Sequence, residues 1–154
     1  MKNFVFIIAL AFLSATAFGQ KPNFSGDWKL NESKSELGYE FSLAPKTMTV
    51  EHTKKTLDLA RVYEFNGQEY EDKVHLTLDG EVCENTGFME SVTKSTANFD
   101  RKTKSLKIVT DGEAQGMSYT HTQVMTMKEG NLVVNSAGAS DMGEMAETFI
   151  LEKQ

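Results

Sequence analysis

The chain reads as an all-β protein, an up-and-down antiparallel barrel of about eight to ten strands with one short helical turn after the first strand. Three observations predict this. Apolar and polar residues alternate with period two through most of residues 46–151, as strand side chains must when they point to opposite faces. Turn signals such as Asn66-Gly67, Asp79-Gly80 and Lys128-Glu129-Gly130-Asn131 divide the alternating runs at short intervals. No long amphipathic helix, tandem repeat or low-complexity tract interrupts them. Short connections make sequence neighbours antiparallel partners. So many strands leave costly edges unless the sheet closes. An up-and-down barrel is the simplest closure, and a β-sandwich is the alternative.

Residues 1–19 have the form of an export signal. Lys2 gives a basic start, Phe4 to Leu13 is an apolar run too short to span a bilayer, and Ala17-Phe18-Gly19 offers small residues where a signal peptidase reads. Cleavage is expected before Gln20, with cleavage after Ala17 as the alternative. No cysteine lies near this point, so a lipid anchor is not expected. Residues 20–154 then suit one domain with a single core, exported and either periplasmic or secreted. The net charge of −6 repels nucleic acid and anionic membrane surfaces. Cys83 is the only cysteine, so packing, not an internal disulfide, must stabilise the fold. Glu81 and Glu84 disfavour its thiolate, and it reads as a small semi-buried hydrophobe.

The elements follow in order. In the first strand, Phe24, Trp28 and Leu30 share one face, Ser25, Asp27 and Lys29 the other, and Gly26 lets another backbone approach. Asn31 to Gly38 has a capping residue and a terminal glycine and fits one helical turn. Tyr39, Phe41 and Leu43 then form a short apolar-bearing connection, lying either over a barrel end or on the surface. Met48, Val50 and His52 alternate with Thr47, Thr49 and Glu51, and Thr53-Lys54-Lys55 turns the chain. Leu57, Leu59, Arg61, Tyr63 and Phe65 share a face, as do Tyr70, Asp72, Val74, Leu76 and Leu78 on the next strand. A short piece, Glu81 to Glu84, leads to Phe88–Phe99, whose uncharged face is Met89, Ser91, Thr93, Ser95, Ala97 and Phe99. Leu106, Ile108 and Thr110 follow, and Asp111-Gly112 reads as the start of a turn. Met117–Met127 is a second long strand. Ser136 to Met145, rich in Gly, Ala, Ser and Met, reads as the least ordered stretch. Glu147 to Leu151 is the last strand.

The early Gly-x-Trp at Gly26-Asp27-Trp28, followed by this meander, resembles the calycin superfamily, which includes the lipocalins and fatty-acid-binding proteins. The phrase Phe24 to Leu30 is similar to the first strand of exported bacterial lipocalin-like domains. The resemblance implies a barrel that binds small hydrophobic molecules inside, with Gly26 and Trp28 as structural residues and Trp28 plugging the closed end. The chain departs from it in two places. Fatty-acid-binding proteins end in an Arg-x-Tyr strand that holds a carboxylate, where this chain has Thr148-Phe149-Ile150. Lipocalins carry a late basic residue that packs on the tryptophan, and Lys153 is a poor candidate for it.

The candidate ligand contacts are Arg61, Tyr63, Met117, Tyr119, His121, Gln123 and Met125. The last five share one face of their strand. Methionines adapt to irregular apolar ligands, and Tyr119, His121 and Gln123 can orient a polar head group. The same residues would also suit a filled core with a buried hydrogen-bond network. Arg61 sits mid-strand on an apolar face, where arginine needs a partner. A ligand carboxylate would satisfy its fork, and so would Asp72 on the next strand. His52, His75 and His121 lie on separate strands without metal-ligand spacing, so neither a metal nor a cofactor is expected. No nucleophile elbow, metalloprotease helix, redox cysteine pair or phosphate loop is present, which argues against an enzyme. The strands lack the continuous apolar band that a membrane barrel turns to lipid. The sequence thus points to a soluble binding protein for a small hydrophobic or amphipathic molecule. The alternative is an interaction or inhibitor module acting through its outer surface and loops.

Overall fold

The computed structural model describes residues 22–38, 42–87, 90–114 and 116–154. The expected signal at 1–19 lies outside them, as do Tyr39, Phe41, Phe88 and Met89. Ten strands form one antiparallel sheet: β1 (Gly26–Leu30), β2 (Thr47–His52), β3 (Thr56–Phe65), β4 (Gln68–Thr77), β5 (Cys83–Thr86), β6 (Val92–Asp100), β7 (Ser105–Ala114), β8 (Met117–Lys128), β9 (Asn131–Ser140) and β10 (Gly143–Lys153). Their order is β4-β3-β2-β1-β10-β9-β8-β7-β6-β5. Apart from the β1–β10 pairing, every neighbour in the sheet is a neighbour in sequence. The β1–β10 pairing, with Trp28 opposite Lys153, brings the chain ends together and nearly closes the barrel.

The closure is completed by side chains. The β4 and β5 edges share no backbone ladder. Instead the Asn85 amide accepts the His75 N–H at 2.7 Å and donates to the His75 carbonyl at 3.1 Å, standing in for one rung. Beside it the Thr77 N–H donates to Cys83 Sγ at 3.3 Å. The lone cysteine is half-buried against the core, as the sequence suggested, and also helps fasten the seam.

Local chemistry explains most elements. Asn66 and Gly67 both take positive φ, 51° and 75°, which is what a tight right-twisting hairpin turn demands. The turn after β1 is a single 3-10 turn, Glu32–Lys34, and the Asn31 side chain accepts the Lys34 N–H. Two expectations fail. Asp111-Gly112 is not a turn: β7 runs through it to Ala114, and Gly112 pairs directly with Tyr119. A Cβ at Gly112 would lie 2.5 Å from the Tyr119 ring, so the glycine makes room for an aromatic across the ladder. Nor is Ser136 to Met145 irregular. It is the distal part of the β9–β10 hairpin, paired from Ser140↔Gly143 to Leu132↔Leu151. Its small residues are strand residues beneath longer neighbours, such as Gly138 beneath Met145.

The core occupies one half of the barrel. Phe24, Trp28, Val50, Leu57, Leu76, Leu106, Met125, Leu132, Val134, Phe149 and Leu151 are all buried there. Trp28 is 1% exposed, and its indole N–H donates to the Phe24 carbonyl at 3.0 Å. Lys153 Nζ sits 5.9 Å from the Trp28 ring centroid. The chain therefore does have a late basic residue on its tryptophan. Set aside in the sequence as too poor a candidate, it is carried there by the Trp28↔Lys153 register.

Candidate ligand-binding interior

Moving along β8 from Lys128 towards Met117, the inward face changes from apolar to polar. Met125 is 2% exposed and belongs to the packed core. Gln123 marks the boundary, and beyond it His121, Tyr119 and Met117 are only partly buried. Neighbouring strands change at the same level. Val134 gives way to Ser136 and Gly138, Phe149 to Glu147 and Met145, and Ile108 to Thr110 and Gly112, each cross-strand from its counterpart. On the opposite wall Leu57 and Leu59 give way to Arg61 and Tyr63, and Leu76 to Asp72 and Tyr70. The barrel thus has a filled apolar half and a polar half in which Gln123, Ser136 and Glu147 are buried while Tyr63, Met117, Tyr119 and His121 keep accessible surface.

Arg61 dominates the polar half. Its side chain is 11% exposed and ion-pairs with Asp72, 18% exposed and directly opposite on β4. The sequence register anticipated that pairing. The second arm reaches across the interior: Nη1 donates to Gln123 Oε1 on β8 at 3.2 Å. The Tyr63 ring lies beneath the guanidinium at 5.8 Å. Arg61 Nε is buried with no hydrogen-bond partner, a cost that a bound acceptor would relieve. Desolvation opposes its charge, yet Tyr63 and Asp72 outweigh it and raise its pKa.

The other polar groups form a second cluster. His121 Nε2 and Ser136 Oγ are 2.8 Å apart. Burial, seconded by Arg61 and only partly offset by Glu147, lowers the His121 pKa to about 4, so the ring is neutral at physiological pH. Burial raises the pKa values of Tyr63 and Tyr119, which keep their protons. Glu147, 5% exposed, accepts the backbone N–H groups of Gly38 and Leu43 at 2.7 and 2.9 Å. It ties the connection after β1 to the barrel.

Of the seven expected contacts, Arg61, Tyr63, Tyr119, His121 and Gln123 come together in the polar half. Met117 lies at its outer end, and Met125 falls in the packed half. Glu147 and Ser136 were missed. The signal for Glu147 was present: it has the same parity as Phe149 and Leu151. Among the described residues, no three His, Cys, Asp or Glu side chains converge as metal ligands would. Two shallow hollows open along the wall: one of about 320 Å³ bordered by Thr122, Val124, Asn135, Ser136, Glu147 and Thr148, and one bordered by Asp111, Gly112, Ser118, Tyr119, Thr120 and Asp141.

No family model and no curated protein matches the chain. Among solved structures, the zebrafish ileal bile acid-binding protein, crystallised in complex with cholic acid, superposes with a TM-score of 0.54. The match covers 85% of this chain and 98% of that one at 14% identity. The fold is calycin-like. At this identity the likeness is one of architecture. In this calycin-like barrel the polar cluster rests on the chain's own residues.

Proposed function

We propose that this chain is an exported, soluble, lipocalin-like protein that binds a small hydrophobic or amphipathic molecule in the polar half of its barrel. One observation carries the proposal. In that half Tyr63, Met117, Tyr119 and His121 keep accessible surface beside a buried arginine with an unpartnered Nε, whereas the other half is packed shut. A few converging polar groups beside an apolar floor are what a small-molecule site needs. The bile acid-binding neighbour supports the reading in kind. Solvent extraction and mass spectrometry of protein purified from an exporting host should recover a co-purified small molecule. Protein that carries nothing, and shows no thermal shift across a lipid panel, would overturn it. The same preparation tests export: the mature chain should begin at Gln20 in the periplasmic or medium fraction, and an intact Met1 there would refute cleavage.

A second reading rests on the outer groove bordered by Thr122, Val124, Asn135 and Thr148. On this reading the protein engages another protein through its wall. A Val124→Lys change would then abolish pull-down of a partner, whereas the ligand-binding reading predicts unchanged small-molecule binding.

A further inference from the structure

Resting on the ligand-binding reading above, we propose that the barrel selects molecules with an uncharged head, a hydroxyl or carbonyl, and that Asp72 is the residue that turns acids away. The inward-facing charges of the polar half carry this inference. Among the described residues there, Arg61 is the only cation, set against two carboxylates, Asp72 and Glu147. Arg61 is already committed: Nη2 to Asp72, Nη1 to Gln123. The Asp72 pairing is fixed by the direct Arg61↔Asp72 register of β3 and β4. His121 contributes no positive charge at neutral pH, because its pKa lies near 4.

Each class of head group meets this arrangement differently. An entering carboxylate or sulfate could also accept from Arg61 Nε, but it would lie beside the Asp72 and Glu147 carboxylates among partly buried groups, where like charges repel strongly and Asp72 already neutralises the arginine. An ammonium would lose its hydration and face Arg61. Asp72 is already paired, and both Glu147 oxygens accept backbone N–H groups. A hydroxyl or carbonyl avoids both costs. It can accept from the unpartnered Arg61 Nε. Tyr63 and Tyr119, kept protonated by burial, can each donate or accept. The missing Arg-x-Tyr in the final strand, where Thr148-Phe149-Ile150 stands, fits the same preference.

The test is calorimetric titration of delipidated, full mature protein with three ligands of one chain length: 1-decanol, decanoate and decylamine, near neutral pH. Decanol should bind about tenfold or more tighter than either charged ligand. Asp72→Asn, which removes the carboxylate's charge and leaves that of Arg61 uncompensated, should strengthen decanoate about tenfold relative to decanol. Decanoate or decylamine matching decanol on the wild-type protein would overturn the inference and leave the ligand-binding reading standing. If none of the three binds, both fall. An Asp72→Asn protein with unchanged decanoate affinity would remove Asp72 from the role. The wild-type series decides head-group selection by itself should the variant fail to fold.

Discussion

The two halves of this barrel share one wall but solve different problems. In the packed half, Phe149, Met125, Leu106 and Leu132 meet with almost no accessible surface. Stability there comes from apolar burial and close packing. In the polar half, the same strands present Glu147, Gln123, Thr110 and Ser136, and stability depends on whether each polar group finds a partner. Most do, through Arg61–Asp72, Arg61–Gln123, His121–Ser136 and the Glu147 carboxylate on two backbone amides. Among the described residues, Arg61 Nε is the buried side-chain polar atom left unpartnered. The contrast teaches that a barrel of this size need not be wholly core or wholly cavity: one half can hold the fold while the other keeps accessible, chemically specific surface.

Mutations should separate the halves. The largest effect is expected in the packed half. Phe149→Ala should cost about 3–5 kcal/mol by urea denaturation, against about 1 kcal/mol for Tyr119→Ala in the polar half. Equal costs would erase the distinction between them. Next comes the ion pair. Arg61→Ala strands Asp72 and should cost about 3 kcal/mol, whereas the double change Arg61→Met with Asp72→Leu should recover most of it. A double variant no more stable than the single one would show that the pair does not act as a unit.

Acid should act mainly on the polar half. His121 has a folded pKa of about 4, below its ordinary 6.5, so on acidification the unfolded chain takes up the proton first. Its stabilising contribution is present above pH 6.5 and is lost as pH falls through 4, on the order of 3 kcal/mol in all. His121→Gln should flatten that part of the stability–pH profile, and an unchanged slope would count against a buried neutral imidazole. The smallest effect on stability is expected at Gly112→Ala. The new Cβ pushes the end of the Tyr119 ring, which can swing, so the loss should stay under about 1 kcal/mol. Decanol affinity should nevertheless fall several-fold if Tyr119 meets the head group.

Much of this was legible in the residues, and the failures have physical causes. Period-two alternation placed Arg61 and Asp72 on one face, and the Asn66-Gly67 turn set the register that pairs them. Gly112 misled because glycine marks a turn only when nothing else needs its missing side chain, and Tyr119 does. Ser136 to Met145 misled because small residues read as loop in isolation, although in a sheet they make space for cross-strand partners. Lys153 on Trp28 and Arg61 on Gln123 were beyond local reading. Both contacts join segments distant in sequence and exist only once the barrel closes. Gln123 was picked out for its strand face, and nothing in that face says that its partner lies across the interior.

The central claim is that the polar half, not the packed half, receives a ligand. Isotope-edited NMR of the protein with 1-decanol tests it most directly. Intermolecular contacts are expected from the ligand to Tyr63, Tyr119 and Met117, and none to Leu132 or Phe149. Contacts confined to the outer wall around Val124, or to the packed core, would contradict it.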